Sequence, residues 1–102
     1  HFFDGKATLV IGTHTHIPTN DARILSNGSG YQTDAGMCGD YNSVIGMDKK
    51  NSLNRFFKKD SVKNYPARGE SSICGVIVEG NIQTGLAKNV KSFIFGGILT
   101  NK

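Results

Sequence analysis

The 102-residue sequence contains no tryptophan and only two prolines and two cysteines. Cys38 and Cys74 lie far apart and can form one disulfide at most, which is not the pattern of a disulfide-stapled secreted domain. We therefore expect both thiols to be reduced, Cys74 to be a buried apolar residue, and the protein to be cytoplasmic. No run of about 18 apolar residues is present, so neither a membrane-spanning helix nor a membrane partner is predicted.

Acidic residues are also scarce, with eight against twelve basic residues and a formal net charge of +4. The basic residues are scattered and form no block of five or six like charges. The charge pattern favours a solvated basic surface that attracts anionic substrates at long range. A basic nucleic-acid-binding module is an alternative, although the sequence has no RRM, KH or OB pattern.

Glycine, by contrast, is abundant, and thirteen glycines punctuate the apolar runs. The run ATLVIG predicts a strand that is buried on both faces. Asn27-Gly28 lies between the β-prone runs DARIL and GYQTD and predicts a hairpin. A second hairpin is predicted from SICGVIVEG and LAKNVKSFIF, which are joined by NIQTG.

One helix is predicted in the middle of the chain. Leu53, Phe56 and Phe57 recur at i, i+3 and i+4, and we expect this apolar stripe to face the core. Asp48 precedes the stripe and is the expected N-cap. Together these elements predict a single β-rich α+β domain over residues 1–102 with one or two short helices.

Two of the three histidines stand in the stretch GTHTHIPT, directly after the first predicted strand. Side chains two residues apart in an extended segment point the same way, with Cα atoms about 6.5 Å apart. His14 and His16 are therefore candidates to bind one metal ion or two neighbouring ones. Gly12 is expected to let the backbone turn, and Thr13 and Thr15 to fix the imidazole orientations by hydrogen bonds. A polar turn with solvent-exposed histidines is the alternative interpretation.

Asp34, in QTDAG, is a candidate to accept a hydrogen bond from an imidazole N–H and so to orient a metal ligand. The alternative role for Asp34 is to cap the turn that follows a strand. A different alternative for the histidines is a small structural zinc site, in which Cys38, with or without Cys74, completes the ligands. The ligand types suit zinc, although the spacing matches no common zinc module.

Several motifs of different types occur in an order that resembles a known family. GTHTH after a strand resembles the paired-histidine element of calcineurin-like metallophosphoesterases. The series DGKATLVIGTHTHIPTNDARIL, GYQTDAGMCGDYNSVIGM, a helix containing RFF, and GESSICGVIVEGNIQTGLA resembles the C-terminal part of the YmdB-like branch of that superfamily. The resemblance extends from about Phe3 to Val90.

This resemblance implies a β-rich partial sandwich, the C-terminal part of a four-layer α/β/β/α fold, with a site for two divalent ions of iron, manganese or zinc. It implies that His14 and His16 are metal ligands, one for each ion, and that the enzyme hydrolyses phosphodiesters such as cyclic nucleotides. The family's other ligands and its general acid lie upstream, so we expect this stretch alone to be inactive and to bind metal weakly or not at all. Where the family commonly has an aspartate the chain has Asn42, and no carboxylate role is assigned there.

The resemblance also bears on assembly, because the predicted strands would supply only part of the sandwich. A partial sheet leaves open edges that pair readily with another chain. The runs ATLVIG, ICGVIVEG and FIFGGIL are apolar on more faces than a 102-residue monomer covers. The expected partners are therefore a small phosphodiester substrate and further copies of the same chain.

Overall fold

The computed structural model describes residues 1–58 and 63–100. The elements are β1 (Leu9–Ile11), β2 (Arg23–Ile24), β3 (Gly30–Gln32), α1 (Lys49–Lys58), β4 (Ile73–Gly80) and β5 (Ala87–Phe95). This is the predicted α+β class, with one helix in the described part of the chain. The chain divides into two compact units, His1–Gly36 with Cys74–Phe93, and Met37–Ile73 with Ile94–Lys102.

The first unit contains a three-stranded sheet in the order β1-β3-β2. β1 runs parallel to β3, with Val10 opposite Tyr31, and β2 runs antiparallel to β3, with Arg23 opposite Tyr31. The predicted Asn-Gly hairpin is confirmed between β2 and β3. Gly28 has a φ of 101° there, a left-handed conformation that glycine adopts without steric cost.

Asp4, in the turn before β1, holds this hairpin in place. Its carboxylate accepts the Asn27 N–H at 2.9 Å and the Ser29 N–H at 3.2 Å. Asp4 is buried, and the fully buried Ser29 donates its hydroxyl proton to the Ala7 carbonyl. Because buried backbone donors are costly when unpaired, these contacts stabilise the hairpin turn.

The second predicted hairpin is also confirmed, since β4 pairs with β5 in a two-stranded sheet. In the connecting turn the Asn81 N–H donates to the Leu86 carbonyl at 2.8 Å. So short a connection requires the two strands to be antiparallel. The Ala87 N–H then donates to the Gly28 carbonyl at 2.9 Å and joins this hairpin to the first one.

In the second unit, α1 begins as predicted. The Asp48 carboxylate accepts the Asn51 N–H at 2.8 Å, which is the expected N-cap contact. The prediction that the apolar stripe faces the core is wrong: Leu53, Phe56 and Phe57 are 51%, 77% and 72% exposed. The half-buried side of the helix carries polar residues instead, namely Asn51, Ser52 and Asn54. No helix in the described part is long and apolar enough to cross a membrane.

The interior of the described part is largely polar. Cys74 is buried as predicted, and it is the only buried hydrophobic side chain among the described residues. The prediction that β1 is buried on both faces is wrong, because Leu9 and Val10 are half-buried and Ile11 is exposed. β1 lies at the edge of its sheet and pairs with one strand, β3, among the described elements. The largest fully buried side chains are Gln32, Asp34, Ser29 and Ser72.

Gly12 continues the pairing of β1 with β3 beyond the strand itself. Its N–H donates to the Gln32 carbonyl at 3.2 Å, and its carbonyl accepts the Ala35 N–H at 3.0 Å. A Cβ atom at this position would lie 2.2 Å from the Thr33 carbonyl oxygen. The sequence suggested a glycine for a sharp turn, whereas the structure requires one for close approach of two backbones.

We expect Gly12→Ala to lower the free energy of unfolding by about 1–3 kcal/mol, because the added methyl forces the two strands apart. The measurement is urea-induced unfolding of both proteins. Gly39→Ala is the matched control, since a Cβ there has its nearest neighbour at 3.7 Å, in ordinary contact. An equal loss in the two variants would contradict the close-approach explanation.

Candidate functional site

The two histidines lie in a short loop, residues 13–17, which we call the histidine loop. The end of β3 closes this loop at both of its ends. On one side the Ala35 N–H donates to the Gly12 carbonyl at 3.0 Å; on the other the Thr19 N–H donates to the Asp34 carbonyl at 3.0 Å. The loop is therefore anchored to one dipeptide, although its own residues form no helix or strand.

The Asp34 carboxylate organises the interior of the histidine loop. One oxygen, Oδ2, accepts the His14 N–H at 2.8 Å, the Thr15 N–H and the Thr15 hydroxyl. The other oxygen, Oδ1, accepts the Gly36 N–H at 2.8 Å. Asp34 is only 1% exposed, and these donors, the Gly36 N–H first among them, hold the pKa of its carboxyl well below the usual range.

These contacts can be compared with the two roles predicted for Asp34. The bond to the Gly36 N–H is the turn cap of the alternative interpretation. The bonds that Oδ2 accepts reach the histidine loop, but at His14 the donor is the backbone N–H and not the expected imidazole N–H. Asp34 therefore determines the path of the chain that carries the imidazoles.

The histidine loop is not extended, so the expectation that its alternate side chains point the same way does not apply. Bends run through residues 14–17, and His16 has a φ of 68°, in the left-handed region that non-glycine residues rarely adopt. His14 is exposed and His16 is half-buried. The paired imidazoles thus stand at the surface end of β1, on a bend rather than on a strand.

The two threonines of the loop differ in what they contact. The Thr15 hydroxyl donates to Asp34 and accepts the Ile17 N–H at 3.2 Å, so it binds loop backbone and carboxylate. Thr13 is exposed, and its hydroxyl forms no hydrogen bond to the described residues. The expected role of these hydroxyls was to fix the imidazoles, whereas the contact that Thr15 makes shapes the loop.

Sequence reasoning missed three residues that support this arrangement. The buried Gln32 amide donates to the Thr19 carbonyl at 3.1 Å and to the Asp34 carbonyl at 2.8 Å. The Thr19 hydroxyl donates to Asp21 at 2.6 Å and accepts the Asp34 N–H at 2.9 Å. Hydrogen bonds from the hydroxyl of Thr19 and then of Thr33 hold the pKa of Asp21 below its usual range. The sequence clue was a glutamine at an inward position of a strand.

The donor types at the histidine loop fit a metal site, but their number does not complete one. Imidazole nitrogens are good ligands for zinc, iron and manganese. Within residues 1–58 and 63–100, no group of three or more histidine, cysteine, aspartate or glutamate side chains is placed to hold a metal ion. The alternative zinc site with Cys38 and Cys74 is therefore not assembled in this part of the chain.

Asn42, at the position where the resemblance leads one to expect an aspartate, lies in the second unit. Its side-chain oxygen accepts a hydrogen bond from the Lys49 ammonium at 3.0 Å. Asn42 also lines a cavity of about 230 Å³ together with Asp40 and Glu70. The amide thus serves here as a partner for a lysine.

The chain is similar in sequence to proteins named as phosphodiesterases or phosphatases. The chain is 38% identical over 93 residues to the 2',3'-cyclic-nucleotide 2'-phosphodiesterase of Bacillus subtilis, covering 91% of this chain and 35% of that protein. It is 54% identical over 55 residues to a putative phosphatase/phosphodiesterase of Mycoplasma genitalium, covering 53% of this chain and 20% of that protein. The chain therefore spans about a third or less of these relatives.

The fold leads to the same group of proteins. A crystal structure described as a novel phosphatase from Mycoplasma pneumoniae matches with a TM-score of 0.84 and 34% identity, over 92% of this chain and 34% of that one. The family described as "YmdB-like protein" matches residues 1–93, which include the first hairpin, the histidine loop and all but the last two residues of β5. The chain therefore belongs to the YmdB-like protein family.

Proposed function

We propose that this chain supplies His14 and His16 as metal ligands to a phosphodiesterase site. One observation carries the proposal: a buried carboxylate, Asp34, is committed to shaping a loop whose side chains include two histidines. The left-handed backbone of His16 supports it, because such strain in a non-glycine residue is concentrated at functional sites.

The metals of this proposal are two divalent ions of iron, manganese or zinc, with one imidazole for each. When bound, such ions polarise a phosphoryl oxygen and activate water for attack on phosphorus. The chain's own contribution is the loop backbone that carries the two histidines, which Asp34 and Thr15 hold in its path. Because a catalytic metal needs about three protein ligands, the remaining ligands of this proposal would come from outside residues 1–58 and 63–100.

We accordingly propose that the chain is the C-terminal part of a longer metallophosphoesterase domain and is inactive alone. Its length, about a third of the Bacillus relative, supports this proposal. The proposed substrates are small phosphodiesters such as cyclic nucleotides, in line with the name of that relative. The net charge of +4 would attract them at long range. The cytoplasmic location expected from the sequence is part of the same proposal.

We further propose that copies of the chain associate. The apolar stripe of α1 is open to solvent, with Phe56 and Phe57 more than 70% exposed. Large exposed apolar side chains that lie together mark an interface more often than a free surface. Two-fold association is the commonest solution, and a stable interface buries more than about 1,000 Å² in total.

The first prediction concerns the metal ligands. We expect Zn²⁺ or Mn²⁺ added to the chain to perturb the imidazole NMR signals of His14 and His16, with weak affinity, because only two ligands are present. His14→Ala should weaken this binding, whereas His1→Ala, the control, should not. The chain should not hydrolyse a chromogenic phosphodiester with Mn²⁺. Turnover that His14→Ala and His16→Ala remove would refute the proposed inactivity, and metal binding that survives both variants would refute the ligand assignment.

The second prediction concerns acid stability. The folded pKa of Asp34 is depressed, so its stabilising effect is complete above the ordinary aspartate pKa of about 3.9 and is lost as the pH falls below that value. Unfolding curves between pH 7 and pH 2 should show Asp34→Asn to be less stable than the wild type at neutral pH, with a smaller further loss in acid. Glu79→Gln, at an exposed carboxylate, is the control. Parallel pH profiles for wild type and Asp34→Asn would contradict this role of the carboxylate.

The third prediction concerns association. Light scattering at micromolar concentration should give the mass of a dimer or a larger oligomer. The double change Phe56→Asp and Phe57→Asp should shift the mass towards the monomer, because it places charge in the apolar stripe. Lys91→Gln removes one positive charge at an exposed position of β5 and should leave the mass unchanged. A clean monomer mass for the wild type would show that this chain needs no further copy.

A further inference from the structure

The central strand β3 has one buried face and one more open face, and the open face borders a small cavity. On β3, Gly30 and Gln32 are buried, while Tyr31 between them points the other way and is half-buried. Arg23 is the cross-strand partner of Tyr31 and shares its face. Leu25, two residues on, lies on the same side. A cavity of about 100 Å³ is lined by His1, Arg23, Leu25 and Tyr31.

The Arg23 guanidinium is held in one orientation. Its Cζ atom lies 4.9 Å from the centre of the Tyr31 ring, so the cation rests over the aromatic ring. Its Nη1 donates to the Asp21 carbonyl at 3.0 Å and lies 3.4 Å from the Asp21 carboxylate. The side chain is nevertheless 48% exposed. Because an exposed ion pair adds little stability, the main effect of these contacts is to orient the guanidinium.

We propose that Arg23 and Tyr31 form a nucleobase-binding site. A guanidinium plane and an aromatic ring are the two protein surfaces on which unpaired bases stack. Here the Tyr31 ring supports one side of the Arg23 guanidinium. The exposed part of the guanidinium is available to a flat ligand. Leu25 adds an apolar wall to the cavity. The neighbouring Asp21 carboxylate offsets the positive charge, so the site suits an uncharged base better than an isolated phosphate.

The position of the cavity relative to the histidine loop follows from β3. The Tyr31 hydroxyl is 3.1 Å from the Thr33 hydroxyl. The Cα atoms of these two residues are about 7 Å apart along an extended strand. Thr33 is in turn packed against Gly12, which directly precedes the histidine loop. The cavity therefore borders the face of β3 that carries Tyr31, whereas Gln32 and Asp34, on the opposite side, support the histidine loop. The inference that Arg23 and Tyr31 bind a base therefore stands apart from the proposed function.

The test is an NMR titration of the chain with adenosine, and separately with inorganic phosphate, in the absence of metal. We expect adenosine to shift the backbone amide signals of Arg23, Leu25 and Tyr31 in a saturable manner. Phosphate alone should leave these signals in place. Because neither ligand can be hydrolysed and no metal is present, a failure of the phosphodiesterase proposal would leave this result unaffected.

The variants separate stacking from charge. Arg23→Lys keeps the charge but removes the plane, and Tyr31→Leu removes the ring, so each should weaken adenosine binding by at least about fivefold. Tyr31→Phe keeps the ring and should bind like the wild type. Arg55→Lys, on the exposed surface of α1, is the matched control, and well-dispersed spectra verify that each variant is folded. An absence of shifts with adenosine, equal shifts with phosphate alone, or wild-type binding by Arg23→Lys would each overturn the proposal.

Discussion

The histidine loop depends on one buried carboxylate. Asp34 accepts backbone N–H groups from the loop on one oxygen and from the following turn on the other. An ionised, fully buried aspartate is stable only when its oxygens are well supplied with donors, and here four donors meet it. The loop therefore cannot rearrange without leaving either the carboxylate or its own N–H groups unpaired. This constraint gives a segment without regular structure a defined path at the end of β1.

Local sequence patterns predicted the parts of the fold that short-range chemistry determines. Asn27-Gly28 predicted a hairpin because its turn needs a residue with positive φ, and Gly28 has one. Asp48 predicted the start of α1 because its carboxylate satisfies an N–H group of the first turn. The hydrogen bond from the His14 N–H to the Asp34 carboxylate joins residues twenty positions apart, and no sequence periodicity indicates such a contact. The left-handed His16 has no sequence signal either, since that conformation is imposed by the closed loop.

The burial predictions failed for a different reason. The spacing of Leu53 and Phe56 correctly predicts an apolar face on a helix, but it does not say which molecule or segment covers that face. In the described chain the polar side of α1 is half-buried and the apolar side is open. The apolar run of β1 likewise stands at a sheet edge with Ile11 exposed. An apolar run does not say what covers it, so composition alone overstates how much apolar surface is buried among the described residues.

The central strand β3 connects the two faces of the sheet. Its buried side presents Gln32, whose amide joins the carbonyls of Thr19 and Asp34 beneath the histidine loop. Its open side presents Tyr31, on which Arg23 rests. Because side chains alternate along a strand, a register slip of one residue would exchange these two roles and destroy both arrangements. The close approach at Gly12 opposes such a slip. A shift of one residue would bring a neighbour of Gly12 opposite Thr33, just after β3, and its Cβ would collide with the Thr33 carbonyl. The register of one short strand thus maintains the support of the loop and the shape of the open face together.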